Sequence, residues 1–104
     1  FKGSFLNPAN RTETFTIKNC VGGEVRGEIT FTLQLRADNT TVDAQASAWL
    51  FEGTSCDTDE LEDSETINVS VLKDEENLRV INLVNNGDED RANFNFTISN
   101  FRQP

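Results

Sequence analysis

Two acidic runs are the groups on this chain best suited to chemistry. Asp57, Asp59, Glu60, Glu62, Asp63 and Glu65 form one run, and Asp88, Glu89 and Asp90 the other. Carboxylate oxygens converging from two loops are a usual way to hold Ca2+, and Asp57, Asp59, Asp88 and Asp90 are the candidate ligands. The Asp57-x-Asp59 spacing meets Leu61 where an EF-hand loop needs another oxygen and then Gly, so that motif is not met. The competing reading is a solvated acidic rim that discourages edge-to-edge association. Cys20 and Cys56 are the second chemical pair. In a small domain rich in Thr and Asn they are expected to form a disulfide, which implies an oxidising compartment. The alternative is two unpaired thiols, one of them packed as a small hydrophobe.

The chain contains no His, which removes the commonest general base, the usual triad partner and the usual transition-metal ligand. Carboxylate pairs remain, but none stands apart from the many surface acids, so an enzyme is not expected. The formal charge of −9 disfavours nucleic acid and anionic membrane as partners and favours cationic ones. No apolar run is long enough to insert in a membrane. There is no Met, and Phe1 is read as a processed or excised end.

The elements that position these groups are strands. Over residues 24–36, Val25, Ile29, Phe31, Leu33 and Leu35 alternate with polar residues, a period of two that no helix accommodates. Further strands are expected at 13–20, 42–52, 66–72, 78–84 and 92–101, with turns at Gly22-Gly23, Asp38-Asn39 and Asn85-Asn86-Gly87. One domain of 104 residues follows: an all-β, antiparallel two-sheet β-sandwich of jelly-roll-like type over 13–104, preceded by an extension or edge segment at 1–12. If successive strands reverse direction, the connections at 21–23, 53–65 and 85–91 share one end with both Cys. That agrees with the proposed disulfide.

Two apolar features fall outside the simple alternation. In 42–52 the core parity belongs to Val42, Ala44, Ala46, Ala48 and Leu50, which leaves Trp49 and Phe51 on the solvent side. They could stack on a sugar ring, or be returned to the core by a bulge or covered by Phe1, Phe5 and Leu6. In 78–84, Leu78, Val80 and Val84 take one parity and Ile81 and Leu83 the other. Trp49, Phe51, Ile81 and Leu83 are therefore the expected interface, made with another domain or a second copy. Four sequons occur, at Asn10, Asn39, Asn68 and Asn95; Asn39 falls in a turn and Asn68 and Asn95 on polar strand parities, and these three could carry glycans or be unmodified polar positions.

Three stretches, Glu13-Thr-Phe-Thr-Ile17, then Gly27-Glu-Ile-Thr-Phe-Thr-Leu33 with Ala46-Ser-Ala-Trp-Leu-Phe51, then Leu78-Arg-Val-Ile81 with Asn93-Phe-Asn-Phe-Thr-Ile98, make the pattern resemble the bacterial pre-peptidase C-terminal domain. The resemblance spans most of 13–99 and implies a jelly-roll-like, non-catalytic, exported accessory module. The family's Asp-x-Asp before its Leu-Tyr-type strand end is missing, with Ala46 and Ala48 in its place, so its metal or ligand role does not carry over. The expected function is a secreted or cell-surface module that binds protein or carbohydrate or serves as a structural appendage. Its rival is a self-assembling fibre or pilus subunit, a homo-oligomer joined by strand exchange through the N-terminal segment.

Overall fold

The computed structural model describes residues 5–85 and 91–101. Six strands run in chain order: β1 (Thr12–Val21), β2 (Val25–Leu35), β3 (Val42–Glu52), β4 (Leu61–Val71), β5 (Glu75–Val84) and β6 (Arg91–Asn100). They form two antiparallel sheets, a four-stranded one in the order β1-β2-β3-β4 and a two-stranded one of β5 and β6. The expected all-β two-sheet architecture is present. Successive strands are neighbours throughout the larger sheet, so the connections alternate between two ends as simple reversal requires.

Local chemistry fixes the reversals. Gly22 and Gly23 both adopt positive φ, 66° and 72°, which lets β1 turn back into β2 within a few residues. Between β2 and β3, Asn39 sits at φ 63° while Asp38 accepts hydrogen bonds from the backbone N–H groups of Thr40 (2.9 Å) and Thr41 (2.8 Å).

The core lies between the sheets. Ile29, Phe31, Ala46, Ala48, Leu50, Ile81 and Leu83 form its buried cluster, with Phe15, Val25, Ile67, Ala92, Phe94 and Phe96 packed against it. The inward residues Ala44, Ala46 and Ala48 keep β3 thin, and both β5 and β6 approach it closely. Ile81 and Leu83 therefore need correction as interface residues. Both are fully buried, while Leu78 (66 % exposed) and Val80 (50 %) carry the outward parity. With apolar residues on both parities of β5, only the packing of its sheet decides which pair turns inward.

β4 is the second correction. It begins at Leu61 rather than at 66, so Glu62, Asp63 and Glu65 are strand residues and not loop. Its register with β3 slips between Leu50 and Phe51, which pair with Asp63 and Leu61, leaving Glu62 as the extra residue of a bulge.

Candidate functional site

The outer face of the four-stranded sheet is a lattice of hydroxyls and amides. Thr16 pairs with Thr30 and their hydroxyls lie 2.7 Å apart; Ser47 and Thr66 lie 3.0 Å apart. At one end, between the β2–β3 turn and β4, Arg36 grips Asp43 with two hydrogen bonds of 2.8 Å. The Ser70 hydroxyl accepts from Arg36 at 2.8 Å and donates to Asp43 at 2.7 Å, joining three consecutive segments of the sheet. The Arg36 and Ser70 hydrogen bonds hold the Asp43 carboxyl below the usual carboxylate range. Asp38 is depressed further, first by the Thr41 hydroxyl at 2.6 Å and then by the Thr41 and Thr40 backbone N–H groups.

These two groups set an acid dependence. A carboxylate whose folded value lies below its unfolded one adds stability that is present above about pH 4 and lost as pH falls through the folded value. Urea midpoints at pH 7 and pH 2.5 should therefore differ more for the unmodified chain than for Asp38→Asn. Parallel losses in the two proteins would show that the Asp38 cap contributes nothing.

At the opposite end the Cys20–Cys56 disulfide is formed, with Cα atoms 6.0 Å apart, and it ties the end of β1 to the β3–β4 connection. Arg26, cross-strand neighbour of both Cys20 and Phe51, lies beneath that connection and donates to the Cys56 carbonyl. Its guanidinium carbon stands 4.4 Å above the centre of the Phe51 ring, and its Nε lies 3.2 Å from Glu28. Trp49 and Phe51 remain on the outer face, as their parity predicts, but both are half-buried rather than exposed. The bulge lies on β4 and does not return them to the core. The Arg26 cation covers the Phe51 face that a sugar ring would need. They also lie on the face opposite Leu78 and Val80, so the two apolar features do not form one surface.

The acids of this end serve the joint between the sheets. Asp63 accepts a hydrogen bond of 3.0 Å from the Val84 backbone N–H, and Glu52 accepts one from the Asn85 side chain. Among the described residues no group of three or more Cys, Asp or Glu side chains could hold a metal ion. Asp57 and Asp59 are described and join no such group, whereas Asp88 and Asp90 lie outside the described residues. All four sequon residues are exposed: Asn10 and Asn39 in turns, Asn68 on the outer face of β4 and Asn95 on that of β6. Sequence reasoning missed Arg26 and the Arg36–Asp43–Ser70 staple; their one signal was a charged residue on the polar parity of a strand.

No protein-family model matches the chain, and neither a curated protein nor a solved structure shows significant similarity to it. Among the described residues no helix is long and apolar enough to cross a membrane.

Proposed function

We propose that this chain is a non-catalytic module of a secreted or cell-surface protein, acting by binding or as a structural appendage. The observation that carries the reading is the Cys20–Cys56 bond, a cross-link that persists outside reducing compartments. The groups with shifted titration support it, since Asp38, Asp43 and Arg36 are all engaged in turn and strand stapling. Exposed Asn39, Asn68 and Asn95 are glycan acceptors on this reading, and protein or carbohydrate at the cell surface is the partner class. A second reading, assembly into a fibre by exchange of the N-terminal segment, is favoured by one feature. Phe5 and Leu6 line a cavity of about 480 Å³ at an open flank between the sheets, with Leu33, Leu35 and Ile98.

Size-exclusion chromatography with light scattering on the intact chain, repeated with Ca2+ and with EDTA, separates these readings. The appendage reading expects a monomer under all three conditions. Large species that dissociate on removal of residues 1–8 would replace it with the fibre reading. A mass or stability change reversed by EDTA would restore the acidic end, including Asp88 and Asp90, as a Ca2+ site.

A further inference from the structure

The smaller sheet turns one face to solvent, and that face is mixed in character. Leu78 and Val80 stand on it, 66 % and 50 % exposed. Around them it is polar, with Asn82 on β5 and Asn93, Asn95, Thr97 and Ser99 on β6, all exposed. Register fixes the neighbours: Asn95 lies directly across from Val80, and Thr97 directly across from Leu78. Opposed residues bring their Cβ atoms to about 5 Å and diagonal ones to about 7–8 Å, so the Asn95 amide stands beside both apolar side chains.

Asn95-Phe-Thr97 is a sequon, and the other three are placed differently. The Asn10 amide donates to the Phe5 carbonyl at 3.1 Å, and Asn39 accepts from Arg11 at 2.7 Å. Asn68 stands opposite another amide, Gln45. Among the described residues neither Asn95 nor Thr97 makes a side-chain hydrogen bond. Two apolar side chains are too little for a stable protein interface, in which each partner gives up about 800 Å² around aromatic or Arg anchors. A sugar suits the face better. The C–H groups of a pyranose and an N-acetyl methyl match Leu78 and Val80, and its hydroxyls match the surrounding amides. β6 also ends its sheet with neither Lys nor Pro between Arg91 and Asn100 to guard the edge. A bulky substituent at mid-strand blocks the approach of another chain.

We propose that Asn95 carries an N-linked glycan whose first N-acetylhexosamine lies across Val80 and Leu78 and shields this face. In the transfer, Asn95 Nδ2 displaces a lipid-linked diphosphate from the anomeric carbon of an oligosaccharide donor. One N–C bond forms and one C–O bond breaks. The Nδ2 proton goes to a base of the transferase and the diphosphate leaves with the electron pair; nothing is oxidised or reduced. The transfer precedes pairing of β6 with β5, while the sequon is still free chain. This deepens the secreted-module reading and rests on it, since only an exported chain meets the donor. A secreted, disulfide-bonded monomer with a bare Asn95 would sink the shield and leave that reading standing.

The test uses the full chain secreted from a eukaryotic cell line. Peptide mass spectrometry should find Asn95 occupied in most molecules. Hydroxyl-radical labelling of Leu78 and Val80 should rise at least about threefold when an amidase cleaves the Asn–sugar bonds of the folded protein. Leu61, exposed at the start of β4 in the larger sheet, should not change. Thr97→Ala, which removes the sequon and keeps Asn95, should give the same rise, whereas Asn68→Gln should leave both labels as they were. An unmodified Asn95 in the secreted chain overturns the proposal. So does equal labelling before and after sugar removal, because the glycan then points to water or another chain already covers the face. A rise shared by Leu61 reports general loosening, and a rise produced by Asn68→Gln assigns the cover to a different glycan; either result overturns it as well.

Discussion

Replacing Cys20 and Cys56 together by Ser will lower the unfolding free energy by about 4 kcal/mol in the chain-entropy model, because the bond closes a loop across a separation of 36 residues. For a domain of this size that is a fall in melting temperature of roughly 20 °C. A small domain holds only about 5–15 kcal/mol in total, so the variant should be close to unfolding at body temperature. The loss has a local part as well. The β3–β4 connection is held over the outer face by the disulfide and by the hydrogen bond from Arg26 to the Cys56 carbonyl. Without the covalent tie that hydrogen bond must hold the connection alone, and the cover over Phe51 loosens. Urea unfolding of the double variant, compared with the unmodified chain in the presence of a reductant, checks both parts. The two should agree. A change below about 1 kcal/mol would show that the cross-link is decorative and would remove the main support for an oxidising compartment.

The strands that were legible in the sequence are those with strict alternation. β2 and β3 announce themselves through Phe31, Leu35, Val42 and Leu50, whose apolar side chains fall on one parity and are all buried. The first half of β4 was not legible. Glu62, Asp63, Ser64 and Glu65 look like loop because all four are polar and neither parity marks a core face, although Asp63 and Glu65 stand opposite the buried Leu50 and Ala48 and Asp63 accepts a hydrogen bond from the Val84 N–H. Neither could the sequence reveal which strands lie above which. That is set by the close approach of Ala46 and Ala48 to the smaller sheet and by the space Gly27 leaves for Phe94. The disulfide was legible because the composition of a small all-β domain favoured a bonded pair and strand reversal separately placed both Cys at one end.

Ile81→Ala should cost about 3–4 kcal/mol, and Val80→Ala no more than about 0.5 kcal/mol. The two positions are adjacent in β5 and similar in chemistry, so the contrast isolates burial from strand propensity. Ile81 is fully buried in the cluster that contains Ala46, Ala48 and Leu50, while Val80 faces outward beside Asn95. The cost at Ile81 belongs in the upper part of the range for such truncations, for a physical reason. A cavity is relieved when neighbouring side chains swing into it, and the alanines of β3 have nothing to swing. β3 would have to move as a strand, and it is hydrogen-bonded on both sides, to β2 and to β4. Equilibrium urea denaturation of the two variants tests this directly. Equal costs would mean that the smaller sheet is not seated on the larger one. A reversed order would turn Leu78 and Val80 inward and return Ile81 and Leu83 to the surface. The predicted order instead fixes the seat of β5 on the larger sheet, and with it the placement of its hydrogen-bonded partner β6.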